Sequence, residues 1–140
     1  MPNLTFEEKL KEFFKKYGYY ISDTPTINIP GKVKDLRIEL IEEEWSEMKQ
    51  GICNDNLVEI ADGAADLIYV VIGTCVAYGI PIARIFNEVH NSNMTKTIRD
   101  VKQGEKYGVG TSKGQGYMPP NIRSILRFPD NPTELELLNS

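Results

Sequence analysis

Residues 57–78 read LVEIADGAADLIYVVIGTCVAY. The stretch is apolar nearly all round a helical wheel, which marks a central helix of a bundle rather than a surface one. Its β-branched run, Val70-Val71-Ile72, lies inside that helical period and carries no strand signal. From Leu67 to Ala83 the chain is almost uncharged, but Asp66 borders the run and Gly79 and Pro81 interrupt it. A bilayer span needs about 20 apolar residues, so the run reads as a helix buried in protein, with no membrane as partner.

The flanking sequence supplies the helices that such an element needs. Phe6, Leu10, Phe13, Phe14 and Tyr17 recur at three- and four-residue steps and predict a helix over about Thr5 to Tyr17, ended by Gly18. Pro25, Pro30 and Asp23 make Tyr19 to Gly31 a loop. A second helix, about Lys32 to Lys49, carries Leu36, Leu40, Ile41, Trp45 and Met48, with Gly51 and Asn54-Asp55-Asn56 punctuating its end. After the turn Gly79-Ile80-Pro81 a fourth helix repeats Ile82, Ile85/Phe86 and Val89 as far as Met94. Beyond Thr97, glycines at 104, 108, 110, 114 and 116 give a loop over about 104–120, and the patch Ile122, Ile125, Leu126 and Phe128 a docking tail over 121–140. The expected fold is a single all-α domain, a bundle of four to five helices.

Composition narrows the function. Of 140 residues 41% are hydrophobic and 26% charged, and the net charge is −4. These values suit one globular domain with a real core. They exclude a disordered chain and a strongly basic binder of nucleic acid polymers. Two cysteines, Cys53 and Cys75, and an opening that runs straight into an amphipathic pattern predict a cytoplasmic protein.

The charges are not evenly placed. The second helix holds Glu39, Glu42, Glu43, Glu44 and Glu47, on composition alone an ordinary solvated face. Position argues otherwise. Counting about 100° per residue from Leu36, Leu40 falls at about 40°, Glu44 at about 80°, Glu47 at about 20° and Glu43 at about −20°. Three glutamates thus continue the stripe that Leu36 and Leu40 begin, where like charges repel and burial is costly unless a cation is held. In the third helix Glu59, Asp62 and Asp66 share an arc of about 60°. The helix dipole accounts for Glu59 and Asp62 at the N-terminal end, but Asp66 lies too far in. An all-carboxylate set, with only His90 in the whole chain, matches Mg²⁺ or Mn²⁺ rather than zinc. Residues 35–66 hold ten acids against two bases, a net of −8, while 94–127 hold seven bases against two acids, a net of +5. A metal cradle with a basic arm suits a polyphosphate substrate.

At these residues the sequence resembles the all-α NTP pyrophosphohydrolases of the MazG-like superfamily. The pattern Glu-Glu-x-x-Glu is matched by Glu43-Glu44-Trp45-Ser46-Glu47, and Glu-x-x-Asp by Glu59-Ile60-Ala61-Asp62, continuing to Asp66. The segment Phe86-Asn87-Glu88-Val89-His90-Asn91-Ser92-Asn93-Met94-Thr95-Lys96 is similar to the phosphoribosyl-ATP pyrophosphohydrolase-like subgroup, as is Lys113-Gly114-Gln115-Gly116-Tyr117-Met118-Pro119-Pro120. Two registers fit. In one, Glu59 and Asp62 are the metal pair and Asp66 is an extra ligand or a base. In the other, Asp66 is the metal aspartate, the expected glutamate falls on Gly63, and Asp62 stands one position earlier.

The resemblance implies Mg²⁺-dependent hydrolysis of a nucleoside triphosphate to the monophosphate and pyrophosphate, in nucleotide-pool house-cleaning. Phosphoribosyl-ATP hydrolysis in histidine biosynthesis is the alternative, and a non-catalytic helical module binding metal or a partner is a third reading. Glu43, Glu44 and Glu47 are the expected catalytic residues, with Glu43 orienting water. Glu44, Glu47, Glu59, Asp62 and Asp66 are the candidate metal ligands. Asn93, Lys96, Lys113 and Tyr117 would contact substrate, although a C-terminal asparagine such as Asn93 also suits a helix end. His90 reads as a structural hydrogen-bonder. A helix as apolar as the third, in so short a chain, also implies a homo-oligomer, a dimer or a dimer of dimers.

Overall fold

A computed structural model describes residues 4–99 and 110–127. Parts of the expected loop and tail, residues 104–109 and 128–140, lie outside the described residues. The fold class is all-α: among the described residues there are five helices and one small pair of strands, in two compact units, Met1–Ile82 and Ala83–Ser140.

In the first unit, α1 spans Phe6–Tyr17, α2 Gly31–Cys53 and α3 Leu57–Tyr78. Local chemistry sets their ends. Thr5 and Glu8 form a reciprocal capping box, Thr5 Oγ1 accepting from the Glu8 N–H and Glu8 Oε2 from the Thr5 N–H. Gly18 ends α1 in the left-handed conformation. Asn56 Oδ1 accepts the Glu59 N–H and opens α3. At the other end of α3, Gly79 has φ +69°, and any Cβ there would strike the Thr24 carbonyl. The loop of residues 19–30 crosses that end, tied by Ser22 N–H to Val76 O and Thr26 N–H to Tyr78 O. Leu10, Phe14, Ile72, Val76 and Ala77 form the core, with Phe13, Ile21, Val33 and Ile82 packed against it.

Two expectations for this unit are corrected. Gly51 does not punctuate the end of α2; the helix runs on to Cys53 and Gly51 is buried inside it. The residue serves packing instead, since a Cβ there would lie 2.9 Å from both Glu59 Cβ and Ile60 N. The inward face of α2 is also rotated from the one expected. Leu36 and Trp45 are exposed, and the covered line runs through Val33, Arg37, Leu40, Ile41, Glu44, Met48 and Gly51, about 80° round the helix from Leu36. As so apolar a helix in a short chain implies, α3 is not covered on every side by the described residues: Leu57, Val58, Ile68, Tyr69 and Val71 stay exposed.

In the second unit, α4 (Ile82–Asn93) ends one residue before the expected Met94. The absence of a strand signal misled: β1 (Thr97–Arg99) and β2 (Gly110–Ser112) pair antiparallel, Thr97 opposite Ser112. Strands of three residues are too short to show alternation. Their hydroxyls meet at 3.0 Å. The short α5 (Ile122–Arg127) is capped by Asn121 Oδ1, which accepts the Ser124 N–H, and it buries Ile125 completely.

Candidate metal centre

Helices α2 and α3 are antiparallel neighbours joined through Asn54-Asp55-Asn56, where Asp55 takes φ 50°. Glycine lets them approach. A Cβ on Gly63 would stand 2.8 Å from Met48 Cα, just as one on Gly51 would collide with Glu59 and Ile60. Two turns further along, Arg37 reaches Val70 and Thr74. Between these fixed points Glu44 and Glu47 come round to meet Asp66.

One carboxylate oxygen from each of Glu44, Glu47 and Asp66 lies within 4.8 Å of the others. Oxygens bound to one Mg²⁺ at about 2.0–2.1 Å stand no more than about 4.2 Å apart, so a small inward closing of these side chains would bring all three onto a single ion. Glu44 and Asp66 are half-buried and Glu47 is exposed, leaving one side open to a further ligand. Glu44 Oε2 is buried and receives no hydrogen bond. A buried carboxylate oxygen with no donor demands a proton or a cation. Burial pushes the Glu44 carboxyl above its ordinary value, and the neighbouring charges of Glu47, Asp66 and Glu43 push the same way. Burial likewise raises Asp66, helped by Asp62 and Glu47. The donor set is oxygen only, which fits Mg²⁺ or Mn²⁺ and disfavours softer metals.

The remaining predicted acids flank this trio. Glu43 is exposed beside Glu44, and Asp62 is exposed one turn before Asp66 on the same side of α3. Glu59 is not one of the three; its Cβ faces Gly51 nearer the α2–α3 turn, and its N–H is used by the Asn56 cap. The trio contains the aspartate of the register in which Asp66 is the metal ligand; where that register expects a glutamate stands Gly63, packed against the Met48 backbone.

Asn93, Lys96, Lys113 and Tyr117 belong to the second unit. Asn93 is exposed at the end of α4, and its carbonyl accepts the Lys96 N–H at 3.1 Å. Lys96 immediately precedes β1 and Lys113 immediately follows β2, so both adjoin the Thr97–Ser112 pair. Lys113 Nζ sits 5.3 Å from the centre of the Tyr117 ring. Sequence reasoning missed the clasp behind them. Buried Ser92 donates its hydroxyl to Met118 O at 2.6 Å, Thr95 Oγ1 accepts the Met118 N–H, and buried Glu88 accepts the Asn121 N–H at 2.7 Å. A carboxylate in line with Ser92 on a four-residue step was the available signal. His90 is exposed.

Residues 10–93 match the phosphoribosyl-ATP pyrophosphohydrolase family. The chain belongs to this family. It is therefore a pyrophosphohydrolase of the MazG-like superfamily, a hydrolase acting on phosphoric anhydrides. The matched span covers α2, α3 and the acidic trio, as well as α4 to its last residue, and stops short of Lys96, Lys113 and Tyr117. No curated protein matches the chain.

Proposed function

We propose that the chain is a Mg²⁺-dependent nucleoside triphosphate pyrophosphohydrolase that releases the monophosphate and pyrophosphate, working in the cytoplasm as a homo-oligomer in nucleotide-pool house-cleaning. The observation that carries this reading is the convergence of Glu44, Glu47 and Asp66 around a buried oxygen without a donor. These three would hold the ion, with Asp62 in reserve and Mn²⁺ able to substitute. When bound, the ion neutralises phosphate charge and polarises the attacked phosphorus.

The chain's own groups do the rest. Glu43, exposed next to Glu44, orients the attacking water and accepts its proton. Water oxygen bonds to phosphorus, the anhydride bond breaks, and pyrophosphate leaves. Lys96 and Lys113, which adjoin the Thr97–Ser112 pair, bind the polyphosphate, while Tyr117 and Asn93 contact the nucleoside. The family's name favours phosphoribosyl-ATP as a second substrate reading with the same chemistry.

The test is a pyrophosphate-release assay across canonical and modified nucleotides and phosphoribosyl-ATP, with and without Mg²⁺. Turnover of a triphosphate only with Mg²⁺, abolished in Glu47→Gln with the helical signal intact, is the expected result. Activity retained in Glu47→Gln counts against the site. Metal that raises the melting temperature while every nucleotide stays intact supports the binding-module reading instead.

A further inference from the structure

The meeting of Glu44 and Glu47 with Asp66 depends on how α2 is rotated about its own axis, and a buried side-chain cation, Arg37, lies on the covered side of that helix. Arg37 is 5% exposed and lies seven residues before Glu44, on the same side of the helix. Its Nε donates to Thr74 Oγ1 at 3.1 Å and its Nη2 to the Val70 carbonyl at 3.0 Å. The Thr74 hydroxyl donates to that same carbonyl at 2.7 Å. The three groups close a ring between the helices. Phe14 lies under the guanidinium, its ring centre 5.3 Å away, and Gly73 leaves the necessary space, since a Cβ there would stand 2.7 Å from Nη2.

The partners on α3 are spaced to matter. Asp66, Val70 and Thr74 follow one another at single-turn steps along one line of α3. The bonded ring is thus stacked directly beyond the aspartate of the trio. An apolar side chain would fill this slot without the desolvation cost of a charge, but it could slide and rotate. A planar fork with two fixed donors cannot. A slip of one residue along α2 moves Glu44 by about 1.5 Å and turns it by about 100°, enough to take its oxygen out of reach of Asp66.

We propose that Arg37, through Thr74 and Val70, is a positioning residue that sets α2 against α3 so that Glu44, Glu47 and Asp66 share one divalent cation. This rests on reading the trio as a cation site. Titration of the metal-free full chain with Mn²⁺, followed by electron paramagnetic resonance and paired with circular dichroism, tests it. Arg37→Lys keeps the charge and loses the fork; Thr74→Val keeps the shape and loses the hydroxyl; Thr74→Ser keeps the hydroxyl. The first two are expected to weaken Mn²⁺ binding about tenfold or more with helicity retained, and Thr74→Ser to bind as the wild type does. Asp66→Asn should lose Mn²⁺ binding altogether. If Arg37→Lys and Thr74→Val bind within about twofold of wild type while Asp66→Asn does not bind, the positioning role is overturned and the cation site stands. If Asp66→Asn binds like wild type, the cation site itself is lost and the proposal with it. Should Arg37→Lys fail to fold, Thr74→Val decides the matter alone.

Discussion

Glu44 is the residue on which the chemistry turns, because its buried Oε2 is left without a donor among three other acids. Its raised carboxyl, and that of Asp66, fixes the sign of a pH effect. An acid whose folded pKa lies above its unfolded one contributes stability below the unfolded value, about 4, and loses it as pH rises through the folded value. The metal-free chain is therefore expected to melt at a lower temperature at neutral pH than in mild acid, as far as these two groups are concerned. Glu44→Gln should raise the neutral-pH melting temperature, flatten this dependence, and remove the stabilisation that added Mg²⁺ gives the wild type. Scanning fluorimetry across pH in chelator and in Mg²⁺ checks all three; a metal-free variant that melts below wild type at neutral pH would refute the account. The candidate acids were legible in the sequence because carboxylates at three- and four-residue steps beside apolar positions are chemically anomalous. The centre of the inward face of α2 was not. A charged Arg37 inside the covered line of α2 looks like a surface residue, so the sequence pattern centres the stripe on Leu36 and Glu47 rather than on Arg37 and Glu44.

Helix ends were legible wherever a cap announces them, as at Thr5, Gly18, Asn56 and Gly79. Glycine is ambiguous at this scale, since it both stops helices and lets them touch. In the sequence Gly51 looks like the first and in the structure it is the second, and nothing local distinguishes the two. Gly63 carries the sharper prediction. In Gly63→Ala the new Cβ lands 2.8 Å from Met48 Cα, a backbone atom that no rotamer change can move aside. Helix propensity favours alanine by about 1 kcal/mol, whereas overpacking costs about 1–3 kcal/mol, here at the upper end. The variant should lose about 1–2 kcal/mol in urea unfolding with an unchanged slope. Because Met48 follows Glu47, its response to Mg²⁺ should weaken too. Gly116→Ala, which meets nothing within 4 Å, should stay within about 0.5 kcal/mol. Equal stability of Gly63→Ala and wild type would mean that the α2–α3 approach is looser than described.

For the molecule as a whole, the question is what covers α3. Leu57, Ala61, Ala65, Ile68 and Val71 fall on one side of that helix at three- and four-residue steps, and all are exposed. Glycine 63, Asp66, Val70 and Thr74, which face α2, lie on the opposite side. Beside the apolar stripe, Phe6, Lys9 and Leu10 of α1 and Ala65, Ile68, Tyr69 and Ile72 of α3 line a groove of about 240 Å³. The sequence showed that this helix has more apolar surface than one short chain can cover, but a lone chain holds no information on where the missing cover comes from. Ile68 and Val71 are 48% and 39% exposed, and burying side chains of this kind is worth about 1 kcal/mol or more each, so association through the stripe is favourable and leaves the acidic side open. Sedimentation equilibrium should give a mass that is a multiple of 15.9 kDa. The pair Ile68→Glu and Val71→Glu should return it to the single-chain value, because two carboxylates cannot be buried there without partners. Mn²⁺ binding should survive in that variant, since the trio lies on the other side of α3. A wild-type mass equal to one chain, at concentrations up to about 100 µM where micromolar association saturates, would show that the stripe is left in water.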